Sequence, residues 1–297
     1  MSSTYENVTD HYVTINGLNI HYRDWGDPQL PPLVVLHGLE AHSYSWDHVA
    51  AALADRYRVI VPDLRGHGES SWAPEYNWQL ILEDTIGLMN ALDISETILC
   101  GHSVGGRVSY MLAGQHPERV ICLVIVEADP MDPKPVEDRD EDSPLDIETY
   151  ATFEDALAEA YERQPYADKD TLRYEVEHRL KRLNDGRWTW RMDPALYTAA
   201  RHGQLNPGTK LEWPALAQIQ CPSVLIYGAH SIGKGGSIRK PGIADAIARA
   251  IPNCQLIEIP DAAHDLPNEN PTGFIRALRA YLTETSGTTA PSADTAR

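Results

Sequence analysis

The sequence lacks a positive charge balance, a long apolar run and any cysteine pattern. Its 297 residues carry 25 lysines and arginines against 43 aspartates and glutamates, a net charge of −18. That balance excludes nucleic acid and anionic membrane surfaces as expected partners. No apolar stretch approaches the roughly 20 residues that cross a bilayer. The opening residues, MSSTYENVTDHYV, contain no basic segment followed by an apolar core, so no signal peptide is expected. The four cysteines, Cys100, Cys122, Cys221 and Cys254, show no metal-ligand spacing, and each lies in or beside a strand-like run. They read as free thiols of a cytoplasmic protein and exclude a disulfide framework. No internal repeat is present, and no metal or cofactor is expected.

What remains is an alternation of strands and helices. Residues 11–23, HYVTINGLNIHYR, alternate around Asn16-Gly17 and predict a hairpin. Leu33–Leu36 is a continuous apolar run, hence a strand buried on both faces. Helix-compatible residues 46–54, a strand at Val59–Val61 and a helix over residues 80–92 follow. Then come a strand from Thr97 to Cys100, a helical run through Val108, Met111 and Leu112, and a strand at Val120–Val126. This order predicts an α/β fold with a mostly parallel central sheet and helices on both faces. Residues 1–130 form the first part of that core.

Over residues 131–212 the strand-like runs vanish. An acidic stretch, Glu137–Asp142, reads as a solvated loop; helices are expected over residues 153–161 and 171–183. The segment is predicted to be a helical cap. The alternation resumes over residues 213–284, with strands at 223–227 and 255–259 and helices at 242–250 and 274–282. The Thr-, Ser-, Ala- and Pro-rich end, residues 285–297, is expected to be a disordered tail.

Between a strand and a helix stands GHSVG, Gly101–Gly105. A turn this sharp strains the backbone at Ser103 and leaves little room for neighbouring side chains. It holds the serine oxygen above the strand end, where the amide of Val104, at a helix N-terminus, faces any oxyanion that forms.

The chain resembles the α/β-hydrolase fold superfamily over residues 11–284. The match rests on His37-Gly38 after the third strand, PDLRGHGES, GHSVGG and IPDAAHDLPNENP. The resemblance implies Ser103 as nucleophile and His264, in the loop after the last strand, as its base. It implies oxyanion donors at the amides of Leu39 and Val104. It also implies that His37 and His102 pack or orient backbone. The commonest position of the acid, after the seventh strand, is vacant: YGAHSIGKGGSIRKPG has no Asp or Glu and places Ser231 and Ile232 there. Glu127 and Asp129, after the sixth strand, are the alternatives, and Glu127 is the better placed.

The expected activity is cofactor-independent hydrolysis of a carboxylic ester or lactone through an acyl-enzyme. The same set also serves C–C bond hydrolysis, lyase chemistry or cofactor-free oxygenation, and the fold also carries non-catalytic ligand-binding proteins. The partner is a small molecule, expected to be apolar or aromatic if Trp188, Trp190 and Tyr197 line the pocket. The basic residues of the 228–242 loop read either as solvated or as contacts for an anionic group. The oligomeric state has no signature in the sequence.

Overall fold

The computed structural model describes residues 5, 7–130, 149–201, 205, 212–231, 238 and 241–288. The Asn16-Gly17 turn joins β1 (Val8–Ile15) to β2 (Leu18–Trp25) as an antiparallel hairpin with Ile15 opposite Leu18. Next come β3 (Pro32–Leu36), α1 (Asp47–Leu53), β4 (Arg58–Pro62) and α2 (Trp78–Ala91). They lead to β5 (Thr97–His102), α3 (Val104–Gln115) and β6 (Val120–Val126). The described part of the insertion holds β7 (Thr149–Tyr150), α4 (Phe153–Arg163), α5 (Lys169–Arg179), β8 (Leu180–Arg182), β9 (Trp188–Trp190) and α6 (Pro194–Arg201). The chain ends through α7 (Glu212–Leu216), β10 (Ser223–Gly228), α8 (Ile243–Ala250), β11 (Cys254–Ile259), α9 (Leu266–Glu269) and α10 (Pro271–Thr288).

Eight strands form one sheet in the order β1-β2-β4-β3-β5-β6-β10-β11. Every pairing from β4 to β11 is parallel; only the β1–β2 and β2–β4 pairings are antiparallel. The apolar runs explain this burial. Leu33 and Val35 turn to one face, against Val49 and Leu53 of α1 and Phe274 and Leu278 of α10. Val34 and Leu36 turn to the other, against Leu82 of α2 and Val108 and Leu112 of α3. A strand covered on both faces has no polar side to present, so its sequence does not alternate.

The insertion departs from the all-helical expectation. Three short strands pair antiparallel in the order β7-β9-β8. The helix expected over residues 171–183 stops at Arg179, and Leu180 pairs with Trp190 instead. A tight turn at Asp185-Gly186, closed by the Leu183 amide on the Arg187 carbonyl (2.7 Å), brings these β-prone tryptophans into register. Pairing across that turn outweighs the local helical pattern. The final helix likewise continues past Leu282 to Thr288. The acidic stretch 137–142, the basic residues Lys234, Arg239 and Lys240, and residues 289–297 lie outside the described residues.

Candidate active site

The site grows from the end of β5, which is buried along its whole length. Ser103 follows with φ 52° and ψ −112°. That is the mirror image of an extended conformation, open to glycine and strained for a residue with a Cβ. Among the described non-glycine residues, positive φ occurs at four Asn or Asp positions, at Ser103 and at Glu127 (φ 46°). Asn and Asp tolerate it; the serine and the glutamate are therefore the strained pair. Ser103 is held from both sides. Its N–H donates to the Val126 carbonyl (2.9 Å), and its own carbonyl accepts the Arg107 N–H (3.0 Å). A Cβ on Gly105 would stand 2.2 Å from the Leu36 carbonyl oxygen, so the start of α3 packs directly on the end of β3.

His264 reaches this serine from the loop between β11 and α9. Its Nε2 lies 3.2 Å from Ser103 Oγ and its Nδ1 lies 3.5 Å from Glu127 Oε2. With the proton on Nδ1, Nε2 is left to accept the serine hydroxyl. The ring position is set by the backbone: the His264 carbonyl accepts from His102 Nε2 at 2.7 Å. Burial and the nearby His264 push the His102 pKa down to about 4, so His102 is a neutral donor at pH 7.

Glu127 is completely buried at the end of β6. Its Oε1 accepts the Gly228 N–H at 2.9 Å and the Ser231 hydroxyl. Ser231 Oγ also lies 2.7 Å from the Ala263 carbonyl. Asp129 is engaged elsewhere, with Oδ1 3.0 Å from Arg107 Nη2. Asp261 is exposed and lies 3.9 Å from His230. The structure thus brings Ser103, His264 and Glu127 together and leaves Asp129 and Asp261 apart from them. Sequence reasoning marked Ser231 only as the residue standing in the vacant acid position; its bond to Glu127 left no sequence signal.

Two other histidines build the loop at Leu39. His37 Nδ1 donates to the Gly38 carbonyl (2.7 Å), while its Nε2 accepts the Leu64 N–H (3.0 Å). These bonds fix the tautomer, and burial lowers the His37 pKa. The anchored carbonyl belongs to the Gly38–Leu39 peptide, so the Leu39 N–H points the opposite way. His67 Nε2 lies 2.5 Å from the Leu39 carbonyl, and burial takes its pKa down to about 3. A Cβ on Gly38 would stand 3.4 Å from the Ser103 Cβ, so this peptide passes close to the serine. Val104 opens α3, and its amide has no acceptor within the helix.

Ser103, His264 and Leu39 line one cavity of about 720 Å³. Its far wall comes from the insertion: Arg163 at the end of α4, Gln164 and Tyr166 beyond it, and Glu175 and Arg179 on α5. Trp188, Trp190 and Tyr197 are not among its lining residues. Trp190 packs edge-on against Tyr197 (5.7 Å) and Trp188 against Phe153 (5.7 Å), inside the insertion. Glu40 accepts an ion pair from Arg163 at 3.3 Å. His230 stacks on Tyr166 at 5.3 Å. Among the described residues no group of three or more His, Cys, Asp or Glu side chains is arranged to hold a metal ion, and no helix is long and apolar enough to cross a membrane.

Residues 31–271 match the family model for the alpha/beta hydrolase fold. The chain belongs to this family. Relatives of this α/β-hydrolase include the sn-1-specific diacylglycerol lipase of Mus musculus, 27% identical over 86% of this chain and 82% of the lipase. An esterase of Mycobacterium tuberculosis is 26% identical over 87% of this chain and 84% of its own. Among solved structures, the thioesterase domain from the curacin biosynthetic pathway superposes with a TM-score of 0.81 at 20% identity, covering 92% of this chain and all of that one. An enol-lactonase from Burkholderia xenovorans LB400 gives 0.69 at 24% identity, covering 92% of this chain and all of that one. These structural likenesses show the fold.

Proposed function

We propose that this α/β-hydrolase is a cofactor-independent serine hydrolase that cleaves a carboxylic ester or lactone of a small molecule through an acyl-enzyme. The observation that carries the reading is the line of contacts Ser103 Oγ–His264 Nε2 (3.2 Å) and His264 Nδ1–Glu127 Oε2 (3.5 Å). Esterases and lipases among its relatives support the choice of bond. His264 takes the Ser103 proton as the oxygen attacks the carbonyl carbon. Glu127 holds the tautomer and offsets the charge that the ring acquires. The Leu39 and Val104 amides receive the oxyanion. Collapse expels the alcohol, which takes its proton from His264. Water then attacks the acyl-serine with His264 as base, releasing the acid and restoring Ser103.

Ser103→Ala is expected to lower turnover of p-nitrophenyl acetate by about 10⁴-fold or more, with unchanged circular dichroism. A phosphonate ester should label Ser103 stoichiometrically in the unaltered protein. Undiminished turnover in the alanine variant overturns the reading. Oxygen uptake during turnover would instead favour the oxygenase alternative.

A further inference from the structure

The turn that leaves β4, residues 62–70 with the sequence PDLRGHGES, takes no part in the chemistry proposed above, yet its His67 reaches the loop beside Ser103. His67 is 1% exposed. Burial and the neighbouring His37 take its pKa down to about 3, so the ring is neutral at pH 7 and carries one N–H. Both ring nitrogens nevertheless face carbonyl oxygens. Nε2 stands 2.5 Å from that of Leu39 and Nδ1 3.1 Å from that of Arg65. One proton serves one of them, and the shorter contact takes it. The Nδ1 lone pair is left against the Arg65 carbonyl, so the ring is placed for the loop at Leu39 in preference to its own turn. Its own backbone holds it there. The His67 N–H donates to the Leu64 carbonyl (2.9 Å), and the His67 carbonyl accepts the Ser70 N–H (3.0 Å). Gly66, at φ 77°, offers its carbonyl to the Asp193 N–H of the insertion (2.7 Å). The ring meets His37 edge-on at 4.8 Å.

Leu39 is the joint between two peptides, and an imidazole holds the carbonyl of each. His37 Nδ1 donates to the Gly38 carbonyl at 2.7 Å, and His67 Nε2 donates to the Leu39 carbonyl. One anchor fixes a peptide at a point and leaves it free to pivot; the second removes the pivot. The need for it is local. A Cβ at position 38 would stand 2.9 Å from His102 Nδ1, so the residue before Leu39 is a glycine, with no side chain to restrict its backbone.

We infer that His67 is a positioning residue for the oxyanion donor at Leu39: its bond to the Leu39 carbonyl keeps the Leu39 N–H aimed at the reacting oxygen. This rests on the hydrolase reading, in which that N–H receives the oxyanion. A donor aimed before the substrate arrives needs no reorganisation when the charge develops. The aim matters most once the carbonyl oxygen is charged, so its loss falls on kcat and leaves KM in place.

The test compares His67→Phe, which fills the site without an N–H, with His67→Gln, which keeps an N–H near the Nε2 position. Each is assayed on p-nitrophenyl acetate and on its thiono analogue, whose C=S sulfur is a poor hydrogen-bond acceptor. His67→Phe is expected to lower kcat on the oxo ester by about 10- to 100-fold, with KM within about 3-fold. The thiono ester should lose less, so the oxo-to-thiono ratio falls. His67→Gln should restore most of the rate and of the ratio. The pH dependence of kcat/KM should be the same in all three proteins, since His264 keeps its partners. A loss of folded protein would lower both esters equally, and the ratio is independent of it. An unchanged ratio in His67→Phe, or equal losses of ratio in the two variants, overturns the inference while leaving the hydrolase reading standing. If the unaltered protein cleaves no ester and Ser103 takes no label, that reading fails instead. Crystal structures of the two variants then decide the inference. A Gly38–Leu39 peptide displaced in His67→Phe and restored in His67→Gln supports it; a peptide unmoved in His67→Phe overturns it.

Discussion

Glu127 and Asp129 are two residues apart, and a single side-chain contact separates their roles. Asp129 meets Arg107 at 3.0 Å and is held away from the imidazole. Glu127 is buried, takes donors from Gly228 and Ser231 on Oε1, and keeps Oε2 toward His264. An amide at position 127 can still fill the space, but it no longer offsets an imidazolium charge. Glu127→Gln is therefore expected to lower kcat by roughly 10³- to 10⁴-fold, whereas Asp129→Asn should stay within a few-fold. Steady-state kinetics of the two variants side by side make the comparison. A larger loss in the Asp129 variant would move the acid.

At the scale of the element, the turn from β5 into α3 is a strained joint clamped by its neighbours. Ser103 sits at φ 52° and ψ −112°, which costs on the order of 1–3 kcal/mol for a residue with a Cβ. Glycine adopts the same angles freely. Ser103→Gly is thus expected to be more stable than Ser103→Ala by about 1 kcal/mol in urea unfolding, though both lack the hydroxyl. Equal midpoints would mean that the joint carries no strain. The insertion follows the opposite logic. There a three-stranded sheet forms against the local helical pattern, because the Asp185-Gly186 turn lets Leu180 find Trp190.

Across the whole molecule, stability is tied to pH through a buried ion pair near the sheet edge. His21 Nδ1 meets Asp63 Oδ2 at 2.8 Å, and both side chains are fully buried. Burial alone would lower the His21 pKa, but the hydrogen bond and charge of Asp63, with Asp10, raise it above the usual value. Burial alone would raise the Asp63 pKa, but His21 and the neighbouring histidines bring it below the usual value. The raised histidine contributes fully below its unfolded pKa of about 6.5 and loses that contribution as pH rises through its folded pKa. The lowered aspartate contributes above about 3.9 and loses its share as pH falls through its folded pKa. The pair therefore stabilises most between about pH 4 and 6.5. The melting-temperature difference between the unaltered protein and His21→Gln should be largest near pH 5.5 and shrink by pH 8. A constant difference over that range would refute the linkage.

The order of strands and helices in the core, the strand-turn-helix at Ser103 and the hairpin at Asn16-Gly17 are local patterns, legible in the chain before it folds; the three strands of the insertion are not. Apolar runs must be covered on both faces, and glycines fall where a turn or a close approach allows nothing larger. Residues distant in the chain meet only in the folded molecule. That meeting decided which carboxylate faces His264, that Ser231 supports it, that His37 sets the Leu39 peptide, and that Arg163, Tyr166 and Arg179 reach the cavity. Residue type and spacing carry no record of a contact between residues 127 and 264, because long-range packing fixes it.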